Sequence, residues 1–370
     1  MINPYKFYKF LDKNNIKQYV GVPDSVLKNF LSIIPKKNNF ISNNEGSAVA
    51  FGIGYYLSTR KIPLIYFQNS GLGNAINPLI SIAHKKVYSI PLLLLIGWRG
   101  SPKSNDEPQH QAQGEVTKNF LKLLGIKYII ISGDKDFLKI KDLVEFARNK
   151  SEPVAILIEN RKFEKVNNKN NIDKNNSNIK RISFLEILLR NIKKNSKIVS
   201  TTGYTSRELH QLRIDKNLKN GSDFYMVGGM GHTSNVALGF ANNSKNQVIA
   251  LDGDGSLLMH LGSMVNCGAL AKKNYKYILL NNSSHESVGS QKTLIDKTNL
   301  NLLSKGLGFE SYIEIKDIRN ADKKIKFFLK SNKKIFMNVK IMEGSIPNLS
   351  RPKKFTDIKK KFMNVFKNEK

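Results

Sequence analysis

The sequence predicts an α/β protein with two similar doubly wound parallel-sheet domains. Short apolar runs alternate with longer segments of helical spacing along most of the chain. The runs are continuous rather than alternating, which is typical of strands buried on both faces of a parallel sheet. Residues 164–181, rich in Asn and Lys and nearly devoid of core residues, interrupt this order once. We therefore expect one domain at 1–163, a linker at 164–181 and a second domain at 182–370.

The individual elements are predicted from apolar runs and helix-start residues. Strands are expected at 18–22, 39–42, 62–67, 91–96, 126–131 and 154–158, and then at 197–200, 224–227, 247–251, 277–280 and 335–341. Helices are expected at 5–11, 45–59, 74–84, 182–193, 205–213, 232–242 and 256–271. A further helix is expected to begin at Pro23, with Asp24 or Ser25 as its N-cap. A polar loop is expected at 97–113, and a surface helix or tail at 350–370.

The composition limits the class of protein. Lys and Arg number 60 against 29 acidic residues, a net charge of +31, but the Lys-Lys pairs are spread along the chain without a nucleic-acid-binding motif. We interpret the charge as a solvated surface and expect no nucleic-acid partner, with polyanion binding as the alternative. The single cysteine, Cys267, excludes a disulfide framework. The N-terminus has no apolar signal region and the run 90–97 is too short to span a bilayer, so we expect a cytoplasmic protein without a membrane partner.

The chemistry is expected at residues that follow two strands of the second domain. Gly253-Asp254-Gly255-Ser256 ends one strand and starts a helix, and Asn281-Asn282 ends the next strand. The glycines let the backbone approach a phosphate, and the helix N-terminus favours an anion. A carboxylate and an amide oxygen are ligands that suit Mg²⁺. These residues predict a magnesium-anchored diphosphate, and an ordinary Gly-Asp turn between strand and helix is the alternative.

The spacing of these residues resembles the signature of thiamine diphosphate enzymes, because Asn282 follows Asp254 by 28 residues. The resemblance implies bound thiamine diphosphate and Mg²⁺, with Asp254, Asn282 and the backbone carbonyl of Ser284 as metal ligands. It also implies that the first domain binds the pyrimidine of the cofactor and the second its diphosphate. Two subunits together complete a site in such enzymes, so we expect at least a homodimer.

Glu45 starts a helix of small residues directly after a predicted strand. As an isolated feature it is a carboxylate that complements the helix dipole. The resemblance implies instead that Glu45 bonds the aminopyrimidine of the cofactor and assists removal of the C2 proton of its thiazolium ring.

Two further turns in the second domain carry glycines and hydroxyls. In the turn 227–232, Met230 lies between glycines, where the resembling enzymes have a large apolar residue that bends the cofactor; a plain glycine turn is the alternative. Hydroxyls and N–H groups at 201–207 would hold diphosphate oxygens. The cofactor-binding residues implied in this way are Glu45, Thr202, Gly203, Thr205, Gly229, Met230, Gly253, Asp254, Gly255, Ser256 and Asn282.

Segments along nearly the whole chain resemble the phosphonopyruvate decarboxylases. They are 21–25, 44–46, 69–74 with 77–79, 99–100 with 106–110, 201–203 with 205–209, and 281–282 with 285–289. The sulfopyruvate decarboxylases are close relatives that act on the sulfonate analogue. Two departures, Ser290 and Lys292, stand where the family usually has Gly and Pro, beside the expected site.

The resemblance implies a carboxy-lyase that converts 3-phosphonopyruvate to 2-phosphonoacetaldehyde and CO₂ in phosphonate biosynthesis, and the fusion of both domains in one chain favours this substrate. Sulfopyruvate or another 2-oxo acid is the alternative substrate, and a non-catalytic scaffold of the same fold is the remote alternative.

His110 and His285 are expected to be catalytic, although each could be a solvated loop histidine. A phosphonate needs cationic partners. The candidate substrate residues are Asp24, Arg99, Arg207 and Lys292, with Lys103 as a further cation.

Overall fold

A computed structural model describes residues 1–102, 104–166 and 177–363 of the chain. The chain separates into two compact units, Met1–Asn171 with Val288–Gln291, and Ile172–Ser287 with Lys292–Lys370. Lys103, residues 167–176 of the expected linker and residues 364–370 of the expected tail lie outside the described residues, so the linker bounds stay a prediction. In the described parts of the chain no helix is long and apolar enough to cross a bilayer.

The first unit contains a parallel sheet with six strands among its described residues. Its helices and strands are α1 (Pro4–Lys13), β1 (Tyr19–Gly21), α2 (Lys28–Leu31), β2 (Asn39–Ile41), α3 (Glu45–Thr59), β3 (Leu64–Gln68), α4 (Leu72–Pro78), β4 (Leu93–Trp98), α5 (Pro108–Leu123), β5 (Lys127–Ile131), α6 (Phe137–Lys150) and β6 (Val154–Glu159). The strand order is β2-β1-β3-β4-β6-β5, and all pairs are parallel. Successive strand residues such as Tyr66 and Phe67 point to opposite faces and enter separate apolar layers, so the sheet is covered on both faces.

The second half of the chain repeats this architecture. Its helices and strands are α7 (Arg181–Asn191), β7 (Lys197–Ser200), α8 (Tyr204–Asp215), β8 (Ser222–Tyr225), α9 (Thr233–Asn242), β9 (Val248–Gly253), α10 (Asp254–Met259), α11 (Met264–Leu270), β10 (Tyr275–Asn281), β11 (Ser284–His285), β12 (Gln291–Lys292), α12 (Leu300–Gly306), β13 (Ser311–Ile315), α13 (Ala321–Lys330), β14 (Ile335–Lys340) and α14 (Phe355–Met363). The large sheet has the order β13-β14-β10-β9-β7-β8, with all pairs parallel. Ile278 and Leu279 again enter opposite apolar layers. The prediction of two doubly wound α/β domains is confirmed.

Three local predictions are wrong. Asp24 and Ser25 do not cap a helix, because α2 begins only at Lys28 and Asp24 instead accepts the Val26 N–H across a turn at 3.2 Å. The segment 97–113 is not all loop, since Pro108 at the first helical position starts α5 and places His110 in its first turn. The predicted helix 256–271 is two helices, α10 and α11, separated by a 3-10 turn at Leu261–Ser263 that contains two weak helix formers, Gly262 and Ser263.

Candidate active site

The strand register brings the two signature segments to the same edge of the second sheet. β9 ends at Gly253, which lies opposite Leu280 near the end of the parallel neighbour β10. Asp254 and Asn282 each follow directly after their strand. The carboxyl ends of parallel strands share one edge of a sheet, and that edge is where open α/β sheets bind their ligands.

Asp254 is a buried carboxylate at the first position of α10. The Thr293 hydroxyl donates a hydrogen bond to Asp254 Oδ2 at 2.5 Å. Burial raises the pKa of Asp254 to about 6, although the Thr293 hydrogen bond favours the charged form. A bound cation would offset the penalty that burial imposes on this charge. Thr293, 39 residues away in sequence, is a site neighbour that no local sequence signal indicated.

The Asn282 side chain is held at both ends of its amide. Its Nδ2 donates to Glu286 Oε2 at 2.9 Å, and its Oδ1 accepts the Ser284 N–H at 3.1 Å. Nearby, the buried atoms Asn281 Nδ2 and Ser284 Oγ have no hydrogen-bond partner within the described residues. Orphaned buried polar atoms beside a carboxylate and an amide oxygen suit a hard cation together with an oxygen-rich anion.

The residues at this edge therefore fit Mg²⁺ with a diphosphate. In the part of the chain that the structure describes, no group of three or more His, Cys, Asp and Glu side chains could hold a metal. Asp254 and the Asn282 amide offer oxygen atoms, which are the type of ligand that Mg²⁺ prefers.

The side chains of Met230 and His285 both lie close to Gly255. A Cβ atom built on Gly255 would lie 2.8 Å from His285 Cε1 and 3.2 Å from Met230 Cε, so a larger residue has no room there. The Gly231 N–H donates to Ser256 Oγ at 3.0 Å, which joins the Met230 turn to the start of α10. Burial lowers the pKa of His285 to about 4, so its imidazole is uncharged at neutral pH.

The predicted diphosphate-binding hydroxyls lie at the start of α8. Gly203 precedes the helix with a φ of 91°, which strongly favours glycine, and Thr205 is buried in the first turn. Thr202 and Gly203 are partly exposed. The Arg207 guanidinium lies 5.8 Å from the centroid of the Tyr204 ring on the same helix. The N-terminus of α8 offers backbone N–H groups to an anion.

Glu45 begins α3 in the first unit and is 5% exposed. Asn74 Nδ2 donates a hydrogen bond to Glu45 Oε2 at 2.8 Å. A Cβ atom built on Gly71 would lie 2.2 Å from Glu45 Oε1, so a larger residue at that position would displace the Glu45 side chain. Burial raises the pKa of Glu45, and the Asn74 hydrogen bond opposes the rise. Asn74 and Gly71 lie in the segment 69–74, which resembles the phosphonopyruvate decarboxylases. The sequence did not indicate that either residue contacts Glu45.

Arg99 and Asp106 form a bidentate ion pair in the first unit, with both nitrogen–oxygen distances at 2.6 Å. Burial by itself raises the pKa of the Asp106 carboxyl. The hydrogen bonds and charge of Arg99, together with the charge of His110, outweigh burial and hold this pKa below its ordinary value. Arg99, expected to bind substrate, is thus already paired with a carboxylate. Asp24 is 1% exposed, and burial raises its pKa to about 6.

The contacts of the described residues do not bring all of the predicted site residues together. Lys292 is exposed in the short strand β12, and Lys103 lies outside the described residues. Glu45, Asp24, Arg99 and His110 belong to the first unit, whereas Asp254, Asn282 and His285 belong to the second. The role of each residue stays a prediction.

Comparison with known proteins places both halves of the chain in one family. Residues 6–123 match the N-terminal TPP binding domain of thiamine pyrophosphate enzymes, and residues 201–339 match the C-terminal TPP binding domain. A phosphonopyruvate decarboxylase of Streptomyces viridochromogenes is 30% identical over 90% of this chain and 87% of that protein. A sulfopyruvate decarboxylase of Methanosarcina acetivorans is 27% identical over 94% of each chain. The beta subunit of the Methanocaldococcus jannaschii sulfopyruvate decarboxylase is 37% identical over 42% of this chain and 79% of that subunit.

These matches agree with the buried carboxylate and amide found at the carboxyl edge of the second sheet. The chain therefore belongs to the thiamine pyrophosphate enzymes and, within them, to the decarboxylases of the phosphonopyruvate and sulfopyruvate type.

Proposed function

We propose that the protein converts 3-phosphonopyruvate to 2-phosphonoacetaldehyde and CO₂, with thiamine diphosphate and Mg²⁺, as a step of phosphonate biosynthesis. The observation that carries the proposal is the 30% identity to a phosphonopyruvate decarboxylase over 90% of this chain. Sulfopyruvate is the second candidate, because a sulfopyruvate decarboxylase matches 94% of the same chain. That sulfopyruvate decarboxylase also carries both domains in one chain. The expectation that fusion of the two domains favours phosphonopyruvate is therefore wrong.

Asp254, Asn282 and the backbone carbonyl of Ser284 would hold the metal, and the start of α8 with Thr202, Gly203 and Thr205 would hold phosphate oxygens. Bound thiamine diphosphate supplies a carbanion that adds to the ketone of a 2-oxo acid and a ring that accepts electrons as CO₂ leaves. Glu45 would hold the proton shared with a ring nitrogen at Oε1, since Asn74 engages Oε2. Met230 and the neighbouring His285 would line the reaction space beside Gly255.

We further propose at least a homodimer in which Glu45 of one subunit and Asp254 of another complete each site. Support comes from the family and from a sulfopyruvate decarboxylase whose beta subunit, a separate chain, matches 42% of this one. Chains carrying Glu45→Gln and chains carrying Asp254→Ala should each be inactive alone. Mixed dimers should regain activity, because one of their two sites has both residues intact. Inactive mixed dimers, verified by mass spectrometry, would contradict the shared site.

The substrate is tested by measuring kcat/KM for phosphonopyruvate, sulfopyruvate and pyruvate side by side, each with and without thiamine diphosphate and Mg²⁺. We expect phosphonopyruvate to be best and pyruvate to be poor, because pyruvate lacks the second anion that would anchor it. A phosphonate carries up to two charges near neutral pH and a sulfonate one, so a site made for the first should favour it. Equal or better turnover of sulfopyruvate would overturn the choice of substrate and leave the decarboxylase assignment standing.

A further inference from the structure

We infer that Glu286, held by Arg181, is a positioning residue that orients the Asn282 amide so that its carbonyl oxygen faces the metal. The inference rests on the magnesium site of the proposed function and adds a residue to it. Glu286 lies four residues after Asn282, at the start of the 3-10 turn Glu286–Val288 that follows β11. The two side chains are therefore part of one short loop at the carboxyl edge of the second sheet.

Both carboxylate oxygens of Glu286 are engaged. Oε2 accepts hydrogen bonds from Asn282 Nδ2 at 2.9 Å and from Arg181 Nη2 at 2.5 Å. Oε1 accepts the Gly344 N–H at 2.8 Å. Three donors from three different segments define the place of this side chain, which is 11% exposed. Glu286 is thus a fixed acceptor rather than a mobile surface group.

A fixed acceptor determines which way an asparagine amide turns. A carboxylate only accepts hydrogen bonds and an amide NH₂ group only donates them, so the NH₂ end of Asn282 must face Glu286. Oδ1 then lies at the other end, where it accepts the Ser284 N–H at 3.1 Å. A carbonyl oxygen has two lone pairs and can accept this N–H while it also coordinates a cation. The opposite orientation would set carbonyl oxygen against carboxylate and an N–H donor against the metal, and both contacts are repulsive.

Arg181 is the buried cationic partner of Glu286. Its side chain is 4% exposed at the start of α7, and it contacts two carboxylates, Glu286 at 2.5 Å and Glu208 at 3.6 Å. Removing one member of such a buried group leaves uncompensated charge. Glu208 shares the arginine and accepts the Ile346 N–H at 3.3 Å. It therefore provides a matched control for the loss of a buried carboxylate beside Arg181.

The test measures metal affinity rather than activity. Mn²⁺ replaces Mg²⁺, thiamine diphosphate is saturating, and free Mn²⁺ is quantified by electron paramagnetic resonance. Glu286→Gln should weaken Mn²⁺ binding by about 10- to 100-fold, the usual effect of losing a partner that orients a metal ligand. Glu208→Gln should bind Mn²⁺ close to the wild-type affinity. On an Asn282→Ala background, Glu286→Gln should cause little further loss, because its effect passes through the amide.

The outcomes separate this inference from the proposed site. Wild-type affinity in Glu286→Gln together with weak binding in Asn282→Ala would overturn the role of Glu286 and leave the metal site standing. Wild-type affinity in Asn282→Ala would overturn both. Equal losses in Glu286→Gln and Glu208→Gln would overturn specific positioning in favour of general damage. If Glu286→Gln does not fold, Arg181→Lys, which keeps the charge but loses the planar fork, must weaken Mn²⁺ binding for the inference to stand.

Discussion

Replacing Gly71 by alanine tests whether Glu45 must occupy its present position. The added Cβ would lie 2.2 Å from Glu45 Oε1 and 2.5 Å from Glu45 Cγ. Favourable non-bonded contacts lie at about 3.5–4.0 Å, so the Glu45 side chain must move by about 1 Å to relieve the overlap. Such a movement breaks the 2.8 Å hydrogen bond that Asn74 donates to the other carboxylate oxygen.

The expected effects on stability and on chemistry differ in size. Overpacking and the lost buried hydrogen bond should lower the free energy of unfolding by about 1–3 kcal/mol. A misplacement of about 1 Å should slow exchange of the thiamine C2 proton by roughly 10²-fold. Exchange into deuterated water, followed by NMR on the enzyme saturated with thiamine diphosphate, measures the second effect, and urea unfolding measures the first.

Gly73→Ala is the matched control for this experiment. A Cβ built on Gly73 meets nothing within 4 Å, and alanine in α4 should raise the free energy of unfolding by up to about 1 kcal/mol. Its C2 exchange rate should equal that of the wild type. If Gly71→Ala loses stability but exchanges the C2 proton at the wild-type rate, the reasoning that links the position of Glu45 to proton transfer is refuted.

Three further predictions concern single side chains. Glu45→Gln should retain thiamine diphosphate but exchange the C2 proton at least about 10²-fold more slowly; an unchanged rate would return Glu45 to a helix-start role. Asp24 has a folded pKa of about 6 against an ordinary 3.8, so the folded state binds the extra proton and stability falls as pH rises between these values. Urea unfolding should therefore show the advantage of Asp24→Asn over wild type growing by about 2 kcal/mol from pH 4 to pH 7, and parallel curves would contradict the buried charge. Ser290 has a φ of 57°, so Ser290→Gly should raise the free energy of unfolding by about 0.5–1 kcal/mol. Ser290→Ala, which keeps the Cβ, should give no gain, and equal values for the two variants would rule out backbone strain at this position.

Most elements of both sheets were predictable because their signals are local. The helix at 45–59 agrees with α3 at both ends, since Asn44 caps it and Arg60 ends it in the left-handed region. The strand at 197–200 likewise agrees with β7. The start of α5 was missed because its first turn, Pro108 to Gln111, is polar and has no apolar period. The break between α10 and α11 was missed because apolar spacing continues across it.

The candidate site was predictable only in part. Asp254 and Asn282 could be paired from sequence because each ends a buried strand, and parallel strands bring such residues to a common edge. Three contacts could not be predicted from the sequence: Thr293 with Asp254, Gly71 with Glu45, and Arg181 with Glu286. In each pair the two residues have no periodic or spacing relation along the chain.

The sequence by itself determined the α/β class, the two-domain repeat and the thiamine diphosphate signature, because apolar period and residue spacing are properties of neighbouring positions. Only the tertiary structure decided which side chains surround the charged groups. It paired Arg99 with Asp106 and buried Asp24, and it enclosed Glu286 between Asn282, Arg181 and Gly344. Burial and long-range hydrogen bonds arise only when distant segments pack together, so neither can be read from neighbouring positions of the sequence.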